Sequence, residues 1–211
     1  MIRLIIADDH TIFRHGLKKI LEENKDIQVV AEASNGNEAL DKACKTDCDI
    51  ILLDISMPGL TGLDLLKMLR IHKPKLKVLV LSMYPEHQYA LRALKAGAAG
   101  YINKASAADE LIEAIKKVYS DGKYISPEIA ERFVFEFEPD ADRQPHESLT
   151  DREYQILCMI ASGKTVSMIA EELNLSVKTV STHRVHILEK MGMKNNAELT
   201  HYMIKKGLVE P

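Results

Sequence analysis

The chain has 211 residues, 46% of them hydrophobic and 28% charged, with a formal net charge of −3. That balance excludes a disordered chain, and no apolar run approaches the roughly 18–20 residues of a membrane-spanning helix. Three cysteines, odd in number and not spaced as a disulfide framework, exclude a stapled secreted domain and point to a reducing cytoplasm.

The opening MIRLIIADDH turns acidic after a few apolar residues, so it reads as a first strand rather than a signal peptide. Up to Tyr124 short apolar runs alternate with amphipathic ones. Strands are expected at Arg3–Ala7, Ile27–Ala33, Ile50–Asp54, Val78–Ser82 and Gly100–Asn103. Helices are expected at Thr11–Glu23, Gly36–Lys45, Thr61–His72, Glu86–Ala96 and Ala107–Ser120. One helix between successive strands predicts right-handed crossovers, hence an α/β, doubly wound, five-stranded parallel sheet with helices on both faces. Cys44 and Cys48 are spaced i, i+4, but no nearby His or second Cys pair supports a metal site, so they read as packing residues.

Residues 125–147 read as a linker, with a short helix start after Pro127 and then an acidic, proline-bounded stretch. Its aromatic cluster, Phe133, Phe135 and Phe137, reads as packing. From Ser148 onward the pattern is all helical, a small all-α domain over 148–211. Thr150 and Glu153 have capping-box spacing, and Gly163 stands where a helix would stop. A second helix, about Val166 to Leu173, gathers Val166, Ile169, Ala170 and Leu173 into one apolar stripe. Asn174-Leu175 makes a short turn, and Ser176 caps a third helix running to about Met191. This pair fits a helix-turn-helix, whose second member enters the major groove of DNA. At about 100° per residue, Val177, Val180, Ile187, Leu188 and Met191 of the third helix should face the core. Lys178, Thr182, Val185, His186 and Glu189 should face outward, with Thr179 and Ser181 at the margins. Arg184 falls near the buried side, with a stem long enough to reach a phosphate from the edge. Although the chain is acidic overall, Lys178, Arg184, Lys190 and Lys194 stand against Glu189 alone between Ser176 and Lys194.

In parallel sheets the chemistry sits at the carboxyl ends of the strands. Asp8 and Asp9 follow the first strand, Asp54 ends the third, Ser82 ends the fourth and Lys104 follows the fifth. Gathered carboxylates repel one another and bind a hard divalent cation such as Mg²⁺. A carboxylate held there can attack phosphorus and form an acyl phosphate, with Lys104 and the Ser82 hydroxyl serving the new phosphoryl oxygens. Taken singly, an Asp at a strand end is an ordinary helix cap. The five together, in this order, point to phosphoryl chemistry.

Residues 1–124, through IIADDHTIFRHGL, DIILLDISMPGLTGLDLL, VLVLSMY and ALKAGAAGYINKAS, resemble a flavodoxin-like receiver domain of the response-regulator superfamily. The resemblance implies that Asp54 is the phosphoacceptor and that Asp8, Asp9, Asp54 and the Ser56 carbonyl hold Mg²⁺. It makes Ser82 the switch hydroxyl, Tyr101 the switch aromatic and Lys104 the phosphate-binding lysine. Met57-Pro58 and Gly62 match the loop after the acceptor. Where many receivers carry a proline after the lysine, this chain has Ala105. The segment from Leu149 to Leu199 is similar to the LuxR-type helix-turn-helix, and with a receiver it is similar to the NarL/FixJ regulators. That implies Lys178, Thr179, Ser181, Thr182 and Val185 at the DNA surface, with Arg184 and His186 as further candidates. It also implies a dimer contact through the last helix, Asn195 to Lys206. Lysines common in that family at the positions of Ser181 and Val185 are absent, which predicts a shallower salt dependence of binding.

The expected function is therefore a cytoplasmic transcription regulator, phosphorylated on Asp54 by a sensor histidine kinase and binding double-stranded DNA, as a homodimer when active. No turnover beyond Mg²⁺-dependent self-phosphorylation and self-dephosphorylation is expected. Two other classes stay open at this point: a phosphatase-like enzyme acting on external esters, and an adaptor working through protein contacts alone.

Overall fold

The computed structural model describes residues 1–57, 60–83, 86–105, 107–126, 129–130 and 144–209. Of the helix start expected after Pro127, Ile129 and Ala130 are helical. Pro58, Phe133, Phe135, Phe137 and the acidic linker stretch lie outside the described residues. The chain divides into two compact units, residues 1–135 and 136–211.

In the first unit β1 (Ile2–Ala7), β2 (Ile27–Ala33), β3 (Ile50–Asp54), β4 (Lys77–Ser82) and β5 (Gly100–Asn103) alternate with α1 (Thr11–Glu22), α2 (Gly36–Lys45), α3 (Gly62–His72), α4 (Glu86–Lys95) and α5 (Ala107–Asp121). The five strands form one sheet in the order β2-β1-β3-β4-β5, every neighbouring pair parallel. β3 is buried at all its positions, as a central strand covered on both faces must be. On one face Leu4, Ile6, Ile50, Leu52, Leu79 and Leu81 meet Leu17 and Leu21 of α1 and Leu111, Ile115 and Val118 of α5. Each such side chain, fully buried, stabilises the fold by about 1.5–3 kcal/mol. The alternate residues Ile5, Ile51, Leu53, Val78 and Val80 point to the opposite face and are equally buried.

Chain reversal between β1 and β3 sets the location of the site. β1 leads out to β2 on one side, while β3 leads to β4 on the other, so a crevice opens at their carboxyl ends. Ala7 lies opposite Leu53, which brings the next residues, Asp8 and Asp54, alongside one another.

The second unit contains a 3-10 turn (Pro145–Ser148) and α6 (Asp151–Ala161), α7 (Val166–Glu172), α8 (Val177–Met191) and α9 (Asn196–Lys205). Each of these α-helices starts at a side-chain cap: Thr150, Thr165, Ser176 and Asn195 accept from the backbone N–H three residues on. All but the last residue of the 3-10 turn falls within the stretch read as linker. His146 anchors it, its Nδ1 lying 2.8 Å from the Tyr202 hydroxyl of α9. Between α7 and α8 the chain turns at Asn174, whose φ of 51° makes it the one non-glycine residue with positive φ among those described. Asparagine tolerates that conformation better than most residues.

Candidate functional site

Four strand ends converge on one buried ion cluster. Asp54, at the end of β3, is fully buried, and Asp8, just past β1, is 1% exposed. Lys104, just past β5, reaches between them, its Nζ 2.7 Å from Asp8 Oδ2 and 2.7 Å from Asp54 Oδ2. The ammonium also lies 4.9 Å from the centroid of the Phe13 ring on α1, a cation–π contact that steadies it. Ser56 stands on the turn after β3, and its N–H donates to Asp54 Oδ1 at 2.8 Å. Ser82 and Tyr101 are fully buried at β4 and β5, and the Lys104 N–H donates to the Ser82 carbonyl at 2.8 Å. The structure thus gathers Asp8, Asp9, Asp54, Ser56, Ser82 and Lys104 at one end of the sheet, with Tyr101 in the strand that leads to Lys104.

Burial dominates the electrostatics. It pushes the Asp54 carboxyl above its ordinary value, against the opposing pull of Lys104. Burial also works against the charge of Lys104, but Asp54 and Asp8 outweigh it and hold the ammonium above its ordinary range. One cation therefore serves two buried carboxylates, with Asp9 close by.

His10 was not among the expected site residues. Its Nδ1 lies 3.0 Å from Asp9 Oδ1 and 3.2 Å from Asp8 Oδ1, and its N–H donates to Asp8 Oδ1 at 2.7 Å. Its direct succession to the acidic pair was the available signal. Arg14, also missed, donates from a guanidinium nitrogen to the Asp8 carbonyl at 2.6 Å and pairs with Glu32, fixing the turn that carries both aspartates.

Asp8, Asp9, His10 and Asp54 each offer a ligand atom, all within 4.8 Å of one another. Asp8 Oδ2 is met by the Lys104 ammonium at 2.7 Å, while the buried Asp9 Oδ1 accepts no hydrogen bond. Acceptor-only oxygens gathered this closely, one of them without a donor, suit a hard divalent cation.

In the second unit, Lys178, Thr179, Ser181, Thr182, Val185 and His186 are all exposed on α8, the second helix of the helix-turn-helix pair. Val180, Ile187 and Met191 form its buried side, with Leu188 half-buried. Val177, expected in the core, is instead 51% exposed. It is the first helical residue, and side chains lean toward the helix N-terminus, so it projects off the end of the packed layer. Arg184 is half-buried, its Nε donating to Asn196 Oδ1 of α9 at 2.6 Å, so it ties α8 to α9.

Glu153 sets the frame of this unit. It accepts from the Thr150 N–H at 2.8 Å, completing the capping box of α6, and pairs with Lys190 of α8 at 2.6 Å. Burial opposes its charge, yet Lys190 and Thr150 together hold its carboxyl below the ordinary 4.5. Glu153→Ala is expected to destabilise the second unit by about 2–3 kcal/mol, one cap plus one charged hydrogen bond, read by thermal unfolding. The contribution is fully present above the unfolded value and is lost as pH falls through the lower folded one. The gap between wild type and variant should therefore close on acidification below about pH 4.5.

Comparison with known proteins agrees with this geometry. Residues 4–116 match the response regulator receiver domain, and residues 147–203 match the bacterial regulatory proteins of the luxR family. The chain is 40% identical to the response regulator UvrY of Escherichia coli K12 over 210 residues, 99% of this chain and 96% of that protein. It is 39% identical to the response regulator GacA of Pseudomonas protegens over 212 residues, 100% of this chain and 99% of that one. Among solved structures it is similar to RcsB of Salmonella enterica serovar Typhimurium bound to promoter rprA with the phosphomimetic BeF3−. That match has a TM-score of 0.63 at 27% identity and covers 95% of this chain and 97% of that chain. A second match is an RcsB–DNA complex, with a TM-score of 0.57 at 29% identity, covering 96% and 97%. Two buried aspartates served by one lysine, with Asp9 beside them, in a receiver fold followed by a luxR-type helix-turn-helix, place this chain in the NarL/FixJ family of two-component response regulators.

Proposed function

We propose that a sensor histidine kinase phosphorylates the protein on Asp54 with Mg²⁺ present, and that the modified protein binds double-stranded DNA through α8 to regulate transcription. The burial of Asp54 against Lys104 and beside Asp8 and Asp9 carries this reading. Asp54 is the nucleophile because it is the innermost carboxylate, held by the Ser56 N–H on one oxygen and by Lys104 on the other. A carboxylate oxygen of Asp54 attacks phosphorus, the P–N bond of the donor phosphohistidine breaks, and the departing imidazole takes a proton from solvent. Lys104 turns from the carboxylates to the new phosphoryl oxygens, and the Ser82 hydroxyl donates to another. Asp8, Asp9, Asp54 and the Ser56 carbonyl would hold Mg²⁺, which when bound neutralises charge on the phosphoryl oxygens.

The RcsB–DNA complexes support a DNA-binding role for the second unit, and its helix-turn-helix pair supports assigning the contact to α8. A dimer would set two copies of α8 about one helical turn of DNA apart, on an inverted repeat. The family relationship supports a site of action in the cytoplasm, and no helix among the described residues is long and apolar enough to cross a membrane.

The decisive measurement is intact mass after incubation with Mg²⁺ and acetyl phosphate, for wild type and Asp54→Ala. Wild type should gain one phosphoryl group and the variant none. Equal gain in both would move the acceptor elsewhere, and no gain in either would remove the phosphoryl role.

A further inference from the structure

The outward face of α8 has an unusual chemistry for a helix in water. Val177 is 51% exposed and Val185 47% exposed. Val185 lies on that face with Ser181 beside it, while Val177 projects from the N-terminal end of α8, the end at which a recognition helix meets base edges. Thr182 belongs to that face as well, but its hydroxyl is not offered outward. Its Oγ1 donates to the Lys178 carbonyl at 3.0 Å, which leaves the methyl group as the part free to meet a partner. Thr179 is likewise engaged, its Oγ1 lying 2.8 Å from the capping hydroxyl of Ser176. Arg184, whose guanidinium would read guanine, is held by Asn196. No Asn or Gln lies on α8 to make the paired contact to adenine. Apart from Lys178, the exposed surface of α8 is therefore poor in groups that read the purine edge, and it holds two exposed valines and a threonine methyl.

On the major-groove edge of a base pair, the C5-methyl of thymine is the one apolar group. We propose that α8 selects its DNA by thymine methyl contacts from Val177, Thr182 and Val185, an inference that rests on the DNA-binding role given to α8 under Proposed function. Lys178 and Ser181 supply polar contacts beside them. The chain's binding sites are then defined by the position of A·T pairs, and the order of A and T within each pair matters because the methyl group marks one strand.

The test removes the methyl group and nothing else. The full-length protein selects duplexes from a random-sequence pool, and each thymine of a selected duplex is replaced in turn by deoxyuridine. Loss of a buried methyl group weakens binding about fourfold, so each contacted thymine should show that drop. At the thymine facing Val185, the drop should shrink toward onefold in Val185→Ala, with Val177→Ala acting in the same way at a separate position. Deoxyuridine without effect at every thymine, or a drop that both variants leave unchanged, overturns the proposal while leaving DNA binding in place. A pool that yields no enriched duplex overturns the DNA-binding role together with it.

Discussion

Lys104→Ala is expected to destabilise the first unit by about 3–5 kcal/mol at neutral pH without divalent cation. The magnitude follows from what the substitution leaves behind: Asp8 at 1% exposure and Asp54 at none, two like charges side by side without the ammonium at 2.7 Å from each. Asp54, already raised by burial, then takes up a proton at higher pH than in wild type. Denaturant unfolding in a chelator, repeated with Mg²⁺, reads both effects. A divalent cation among the same carboxylates replaces the lost charge, so the deficit should shrink when Mg²⁺ is added. A deficit below about 1 kcal/mol in the chelator would mean that water, not Lys104, already satisfies these carboxylates.

Gly62→Ala should cost about 3 kcal/mol and slow phosphoryl uptake with it. A Cβ at Gly62 would sit 2.3 Å from the Cα of Ile55 and 2.8 Å from the carbonyl oxygen of Asp54. Those are backbone atoms with no rotamer to change, so α3 or the end of β3 has to shift, and Asp54 shifts with it. Gly16→Ala in the middle of α1 is the matched control. Nothing lies within 4 Å of its Cβ position. There the exchange should stabilise by about 0.5–1 kcal/mol, because alanine is the better helix former. The two midpoints should move in opposite directions, and only Gly62→Ala should lower the rate of phosphoryl incorporation.

The sheet was legible because β1, β3 and β4 are short runs rich in branched apolar residues that stop at a polar one, a pattern that two-sided burial imposes. Its strand ends carried the site for the same reason: Asp8, Asp54, Ser82 and Lys104 stand where the runs stop, and parallel pairing brings those stops together. His10 and Arg14 were missed because their roles come from tertiary placement. Neither the approach of His10 to two carboxylates nor the grip of Arg14 on the Asp8 carbonyl has a sequence period. In the second unit, helical periodicity found the buried side of α8 but erred at Val177, since a wheel treats the first turn as though the core continued beneath it. The bond from Arg184 to Asn196 likewise joins residues twelve apart on different helices, beyond the reach of a wheel. Most of the 3-10 turn at Pro145–Ser148 was absorbed into the linker because its anchor, Tyr202, is far along the chain.

The caps at Thr150, Thr165, Ser176 and Asn195 bear on how such a protein acquires new targets. Each helix of the second unit has its starting point written locally, between the capping side chain and the N–H three residues on. Exchanges among the outward residues of α8 therefore leave the boundaries of its neighbours unaltered. Recognition and architecture are encoded in separate letters of the same helix, so descendants of this sequence can drift from one operator to another without passing through unfolded intermediates.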